Sequence, residues 1–94
     1  MRILCKKKLV QFMKKHPNSA GSLRAWVQIV EASSWQKPTD IKKTFAGASF
    51  LSDNRVIFNI AGNNFRLLVT VIYVQGNLLV TWIGTHAEYD KMNF

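Results

Sequence analysis

A group of polar side chains in the second half of the chain is the first feature that could do chemistry. Its members are Asn59, Asn63, Arg66, His86, Tyr89 and Lys91. Scission of RNA by a ribose 2′-OH needs a group that takes the hydroxyl proton, a donor for the 5′-oxygen and fixed positive charge on the phosphorane. His86 can exchange a proton near neutral pH, and Arg66 can grip a phosphate with two parallel N–H bonds. Tyr89 can stack on a base, and Lys91 can add charge or a proton.

Most of these residues also have a structural explanation. His86 could begin a helix without a chemical role, and Tyr89 could pack against the core at the C-terminal turn. Asn63 could be needed only for the backbone conformation of its turn. Arg66 is harder to explain in this way, because an unpaired guanidinium within an apolar strand costs free energy. His16 lies outside the group and is expected only to end a helix.

A three-stranded antiparallel meander would bring these side chains to one edge of a sheet. The strands are predicted at residues 55–60, 65–75 and 78–85. The first two are joined by a turn at residues 61–64, where Gly and Asn tolerate positive φ, and the last two by a two-residue hairpin turn at Gly76-Asn77. This register pairs Asn59 with Arg66 and places both near His86. The middle strand is apolar on both faces except at Arg66, which indicates two covered faces, or one covered face and a cleft.

The first half of the chain is predicted to be mainly helical. Apolar residues recur at helical spacing over residues 5–15 and again over residues 19–32, and one helical turn is expected after Pro38. Residues 1–4 fit either a short edge strand or the lead into the first helix. Cys5 is expected to be a small, buried or half-buried hydrophobe. Thr85 and Glu88 have the spacing of a capping box, which predicts one or two helical turns through Lys91.

The positive charge is confined to the predicted helical half. The 94 residues, which we expect to form one domain, carry a net charge of +8. Residues 1–43 hold ten Lys or Arg against two acidic residues, whereas residues 44–94 are neutral. This distribution favours a polyanionic partner, and nucleic acid over membrane because no segment resembles a spanning or lipid-inserting helix. A basic protein without such a partner would fit the charge as well.

The sequence has no signature of a metal or nucleotide cofactor. Its two histidines lie far apart at positions 16 and 86, there is one cysteine, and no glycine-rich loop precedes a helix. We therefore expect a chain without metal ligands or cofactor. A single cysteine cannot form an internal disulfide, so the reducing cytoplasm is the expected compartment.

Two stretches resemble the HigB family of bacterial toxins. They are Ser49–Leu67, which includes the Asn-Ile-Ala-Gly-Asn turn, and Gly84–Lys91. The basic helical hairpin that ends near Trp35 and Pro38 is similar too. The resemblance implies a RelE-like α+β fold, with two N-terminal helices packed on a twisted antiparallel sheet and a short C-terminal helical turn.

The same resemblance implies an activity and partners. It implies a metal-independent endoribonuclease that cuts mRNA, commonly on the translating ribosome, and a cognate helix-turn-helix antitoxin of the HigA type. DNA would be contacted only through that antitoxin. The matching positions for the site are Asn59, Arg66, His86 and Tyr89. Ala61 departs from the family pattern, since a basic residue is common there, and this departure would weaken phosphate contact at the turn.

We therefore interpret the chain as an endoribonuclease with catalytic Arg66, His86 and Tyr89. Arg66 would hold the scissile phosphate, His86 would act as general base or acid, and Tyr89 would orient the RNA. Further RNA contacts are expected from Lys42, Lys43, Asn59, Asn63 and Lys91. A non-catalytic RNA- or ribosome-binding module with the same basic surface is the alternative, and a protein whose basic helices bind only an acidic protein partner is the third possibility.

Overall fold

Five strands and four helices make up the computed structural model, which describes all residues from Met1 to Phe94. The strands are β1 (Arg2–Leu4), β2 (Ser49–Phe50), β3 (Arg55–Ile60), β4 (Phe65–Ile72) and β5 (Asn77–Thr85). The helices are α1 (Lys6–Lys15), α2 (Ala20–Glu31), α3 (Pro38–Thr44) and α4 (His86–Asp90). Two short 3-10 turns lie at Pro17–Ser19 and Tyr73–Gln75. The longest helix, α2, has 12 residues, and none of the four is long and apolar enough to cross a membrane.

The strands form one sheet in the order β1-β5-β4-β3-β2. All neighbours are antiparallel except β1, which runs parallel to β5. This α+β architecture confirms the expected fold class, and residues 1–4 contain a short edge strand. The register confirms the predicted meander, because Asn59 lies opposite Arg66 and Phe65 lies opposite Thr85.

The helices cover one face of the sheet. Alternate residues of β3 and β4, among them Phe58 and Leu67, join one buried cluster with Leu9 of α1, Leu23 of α2 and Ile41 of α3. The period of two in the strands and of 3.6 in the helices produces this single core, because each element turns one apolar face inward.

The opposite face of the sheet carries the remaining side chains of the same strands. Ile57 of β3 and Leu68 of β4 are 3% and 6% exposed there, but they lie outside the core cluster that the helices complete. They are directly opposite each other in the ladder, so each shields the other. We call this second face of the sheet, which α1, α2 and α3 do not cover, the open face, although Ile57 and Leu68 are buried on it.

The connection between β4 and β5 differs from the predicted two-residue hairpin. The strand ends at Ile72 rather than at residue 75, and residues 73–75 form a 3-10 turn that Gly76 closes with a φ of 68°. Asn77 has already entered β5. The connection is therefore longer than the two central residues of a tight hairpin turn, because Tyr73–Gln75 lie in the 3-10 turn and outside both strands. Val74, the last apolar residue of the expected strand, is 98% exposed.

Cys5 is exposed, so the expectation of a buried or half-buried residue was wrong. It joins β1 to α1 in the left-handed conformation, with a φ of 66°, because the chain must reverse sharply there. The turn at residues 61–64 also differs in detail from its prediction. Positive φ occurs at Ala61 and Gly62, and neither Asn63 nor Asn64 adopts it.

Candidate active site

A row of three residues crosses the middle of the sheet at one end of the open face. Arg66 of β4 lies between Asn59 of β3 and Gly84 of β5. The row exists because the short turn after β3 returns the chain in register, and because β5 runs on past β1 to Thr85. The topology therefore brings the end of β3, the start of β4 and the start of α4 to the same edge, as the sequence predicted.

Arg66 has no acidic partner. Its Nη1 donates to the carbonyl oxygens of Asn63 at 2.9 Å and Phe65 at 3.2 Å, and its other guanidinium nitrogens make no hydrogen bond within the chain. The guanidinium carbon lies 5.5 Å from the centre of the Tyr89 ring. Arg66 is half-exposed, so its charge remains solvated. A guanidinium with free donors in a fixed fork matches the geometry of a phosphate.

His86 begins α4 and is tied to the turn that precedes Arg66. Its backbone N–H donates to the carbonyl oxygen of Asn64 at 2.9 Å, which connects the helix to the β3–β4 loop. The imidazole is about half-exposed, and its Nδ1 lies 3.5 Å from Oδ1 of Asp90. Contact at Nδ1 leaves Nε2 as the nitrogen available to a substrate. Asp90 was not predicted as part of the site, although its i,i+4 spacing from His86 on a predicted helix was a usable signal.

A capping box fixes the start of α4. The hydroxyl of Thr85 accepts from the Glu88 N–H at 3.1 Å, and the Glu88 carboxylate accepts from the Thr85 N–H at 2.8 Å. This confirms the predicted cap. The hydrogen bond from the Thr85 backbone, followed by that from its side chain, lowers the pKa of Glu88 below its ordinary value of 4.5, and nearby Lys15 and His16 add to the effect.

Tyr89 belongs to an aromatic cluster that the sequence analysis missed. Phe94 stacks on Tyr89, with ring centres 5.7 Å apart and planes at 27°, and meets Trp82 edge-on at 5.4 Å. Trp82 and Gly84 are two residues apart on β5, so they share the open face, and this alternation was a signal for Trp82. Phe94 lies beyond every predicted element, so no periodicity could have placed it.

The two asparagines of the predicted site differ in how firmly they are held. The Asn59 side-chain amide donates to the carbonyl oxygen of Gly47 at 3.3 Å, at the rim of a depression of about 270 Å³ that residues 44–48 line with Phe58. The Asn63 side chain is exposed and makes no hydrogen bond within the chain, while its backbone oxygen holds Arg66. The amide groups of both residues remain accessible.

The three lysines of the predicted site lie outside the row that Arg66 forms with Asn59 and Gly84. Lys42 and Lys43 are on α3, beside the β2 edge of the sheet, and Lys91 caps the end of α4. The Lys42 ammonium donates to the Ala48 carbonyl oxygen at 2.8 Å and lies 5.9 Å from the ring of Phe50, so it also fixes the loop before β2. Lys43 and Lys91 are exposed. No three His, Cys, Asp or Glu side chains form a group that could hold a metal ion.

Comparison with known proteins identifies the family to which the chain belongs. A family model described as HigB_toxin, RelE-like toxic component of a toxin-antitoxin system, matches residues 19–92. The mRNA interferase HigB of Escherichia coli O6:H1 (strain CFT073) is 27% identical over 94 residues, covering 98% of this chain and 91% of that protein. The mRNA interferase toxin HigB of Escherichia coli K12 and the mRNA interferase HigB of Shigella flexneri are each 25% identical over 92 residues, covering 96% of this chain and 88% of theirs. The resemblance seen in the sequence is thereby confirmed, and the chain belongs to the HigB family, the RelE-like toxic components of toxin–antitoxin systems.

Proposed function

We propose that this chain is an mRNA interferase, an endoribonuclease that blocks translation by cutting messenger RNA until an antitoxin neutralises it. Membership of a toxin family and relatives named mRNA interferases support this function. The observation that carries it is the unpaired, half-exposed guanidinium of Arg66, which lies against Tyr89 beside the turn that His86 contacts. A binding module would need the charge, but not a proton-exchanging side chain beside it.

In the proposed reaction the ribose 2′-oxygen attacks the adjacent phosphorus and the bond from phosphorus to the 5′-oxygen breaks. The hydroxyl proton leaves to a base, and a proton reaches the 5′-oxygen, so the products are a 2′,3′-cyclic phosphate and a 5′-hydroxyl end. Arg66 stabilises the charge that develops on the phosphorane. His86 moves a proton at a reacting oxygen through Nε2, while Asp90 orients its ring through Nδ1. Tyr89 orients the RNA.

The remaining side chains bind RNA in this proposal. Asn59 and Asn63 flank Arg66 and supply amide donors and acceptors to nucleotides on either side of the scissile phosphate. Lys42, Lys43 and Lys91 supply backbone contacts at the margins, and Lys42 keeps its structural bond to Ala48. Since these lysines lie away from the scissile phosphate, their loss should weaken RNA binding more than the chemical step.

The proposed partners follow from family and charge. The antitoxin is a helix-turn-helix protein of the HigA type, and the toxin meets DNA only through it. The substrate mRNA is cut on the translating ribosome, where a protein with a net charge of +8 is drawn to the surrounding rRNA. The charge favours this setting because most of it lies in the helical half of the chain rather than on the strand that carries Arg66.

Inducible expression in a bacterial host tests the function. Wild-type chain should arrest growth, new 5′ ends should appear within translated transcripts, and co-expression of the antitoxin should reverse both effects. Purified chain added to a translation reaction should produce the same ends. Growth arrest without any new RNA end would reject the enzyme and favour a non-catalytic ribosome-binding module.

A further inference from the structure

A slot between two aromatic side chains lies beside Arg66 on the open face, and Phe94 fills it. The Phe94 ring stacks on Tyr89 at 5.7 Å and meets the indole of Trp82 at 5.4 Å with an angle of 62° between the planes. The guanidinium of Arg66 lies 5.5 Å from the centre of the same Tyr89 ring. Phe94 therefore contacts two aromatic side chains, Tyr89 face-on and Trp82 edge-on, and a guanidinium that can bind phosphate lies next to Tyr89.

Gly84 fixes the position of the Trp82 wall. A Cβ atom at residue 84 would lie 2.4 Å from Cζ2 of the indole and 2.6 Å from its Cη2, closer than atoms of a rigid ring can approach. The indole therefore lies flat across the backbone of Gly84, and Gly84 is the residue opposite Arg66 in the ladder. The absence of a side chain at residue 84 leaves room for the indole against the backbone of β5.

Phe94 is held in the slot by its ring contacts. The last backbone hydrogen bond of the chain runs from the Met92 N–H to the Tyr89 carbonyl oxygen at 3.0 Å, and neither Asn93 nor Phe94 makes one. The Phe94 ring is itself half-exposed. A planar ligand that stacks as well as phenylalanine can therefore replace it without breaking any backbone hydrogen bond.

Positive charge lies on both sides of the slot. Trp82 also lines a depression of about 370 Å³ between α1 and β5, and Lys8 and Lys15 line the same depression. Lys8 donates to the Thr81 carbonyl oxygen at 3.0 Å along the stretch of β5 that β1 does not cover. Arg66 thus lies beside Tyr89, and two lysines line a depression with Trp82, so each aromatic side chain has cationic neighbours, as in sites for single-stranded nucleic acid.

We propose that the slot between Trp82 and Tyr89 binds a nucleobase of the RNA, and that Phe94 is an internal occupant that this base displaces. The inference rests on the proposed function and adds to it a base-stacking subsite with a built-in competitor. A nucleobase has the flat π-face that Tyr89 offers to Phe94, and its flanking phosphates would reach Arg66 and the lysines of the groove. The free toxin therefore holds its base subsite closed until RNA opens it.

Binding to an RNA that cannot be cut isolates this subsite from catalysis. The probe is a labelled 2′-fluoro oligoadenylate about ten nucleotides long, which lacks the 2′-OH nucleophile, followed by fluorescence anisotropy. Trp82→Ala should weaken binding roughly tenfold, as expected for the loss of one stacked base. Phe94→Ala should tighten binding roughly threefold or more, because its competition is removed. Trp82→Phe should bind nearly as the wild type does, and Met92→Ala, a neighbouring exposed residue, is the matched control.

Intrinsic fluorescence gives a second readout. Trp26 and Trp35 are 2% and 5% exposed, so quenching by the bound oligonucleotide reports on Trp82. Quenching should be absent in Trp82→Phe and should saturate at lower oligonucleotide concentration in Phe94→Ala. If Trp82→Ala does not fold, as judged by its circular dichroism, the Phe94→Ala and Trp82→Phe variants still decide the question.

Trp82→Ala is expected to weaken RNA binding and Phe94→Ala to tighten it, and these opposite effects make the proposal refutable. Weaker binding by Phe94→Ala would show that Phe94 supports the site rather than competes for it, and unchanged binding by both alanine variants would remove the subsite. Either result, with wild-type protein still cutting mRNA, would leave the proposed function intact. Wild-type protein that binds the oligonucleotide through Trp82 but cuts no mRNA would keep the subsite and reject the enzyme.

Discussion

Arg66 is the residue on which the proposed chemistry depends most. Its half-exposed position at the strand end avoids the cost of a buried charge, and two backbone carbonyls and an aromatic ring fix its direction. Arg66 takes part neither in the Lys6–Glu31 ion pair nor in the contact between His86 and Asp90. Its charge is thus kept for a ligand.

Arg66→Ala should abolish growth arrest while leaving the protein folded and able to bind its antitoxin. Loss of a group that stabilises charge in the transition state costs about 3–4 kcal/mol, or roughly 10²–10³ in rate. Single-turnover cleavage measures this loss. Arg55→Ala is the matched control, because Arg55 lies on the same face at the far end of β3 and bonds only to Ser52. Full toxicity of Arg66→Ala would mean that the site is misplaced.

His86 and Asp90 should act as a pair. His86→Gln keeps a hydrogen-bonding side chain but cannot shuttle a proton, so single-turnover cleavage should slow by roughly 10²–10⁴-fold. Asp90→Asn should slow it less, and it should add little to the loss already caused by His86→Gln, because Asp90 acts through the imidazole. Independent, multiplying losses in the double variant would show that the carboxylate has a separate role.

At the scale of elements, α4 carries His86 and Tyr89, two of the three side chains proposed to act in catalysis, and its capping box holds its start in place. Glu88 has a lowered pKa because its carboxylate accepts from the backbone and then from the side chain of Thr85. The stabilisation is therefore fully present above the ordinary pKa of 4.5 and is lost as the pH falls through the lower pKa of the folded protein.

Acid should therefore loosen α4 before the sheet unfolds. In a pH titration followed by NMR, the amide signals of residues 85–90 should shift below pH 4.5, the ordinary value, while signals of β4 stay in place. Glu88→Gln removes the titrating carboxylate and should flatten this response. Identical acid transitions in the wild type and Glu88→Gln would show that the capping box does not hold the helix.

The elements that sequence could predict are those with strong local signals. Alternation located β3 and β4, helical spacing located α1 and α2, and the Thr85–Glu88 spacing located the cap. The prediction of the β4–β5 connection was wrong because the alternation of apolar residues continues to Val74, although the strand ends at Ile72. The prediction that Cys5 is buried was wrong because its exposure depends on its place between β1 and α1. Residue type alone does not indicate that place.

Sequence could predict only those parts of the site that follow from the strand topology and from helical spacing. Asn59, Arg66 and His86 come to one edge of the sheet because Asn59 pairs with Arg66 and β5 ends at Thr85, opposite Phe65. The positions of the Trp82 and Phe94 rings depend on the lack of a side chain at Gly84 and on contacts between rings that are distant in sequence. Such contacts follow from packing in three dimensions and leave no period in the sequence.

At the scale of the whole molecule, charge and proposed chemistry occupy different parts of the chain. The first 43 residues carry all of the net +8, while residues 44–94, which include Arg66, His86 and Tyr89, are neutral. The helices can therefore provide attraction to RNA or ribosome while the sheet edge provides the cleavage. This separation explains how binding and cleavage could be altered independently.

Affinity for RNA should consequently fall steeply with salt. If about five phosphates are neutralised, counterion release predicts a loss of roughly 10² in affinity between 50 and 200 mM salt. Replacing Lys14 by Gln should lower the slope of log affinity against log salt by about 0.7 if this lysine meets a phosphate. A flat salt dependence would remove the lysines of α1 and α3 from the RNA-binding surface.

End-group analysis of cleaved RNA tests the central claim most directly. If the RNA's own 2′-OH is the nucleophile, cleavage should proceed with EDTA present and leave a 2′,3′-cyclic phosphate or 3′-phosphate opposite a 5′-hydroxyl. A substrate with 2′-deoxyribose at the cut position should bind and remain intact. Ends bearing a 5′-phosphate, or cutting that requires added metal, would contradict the account.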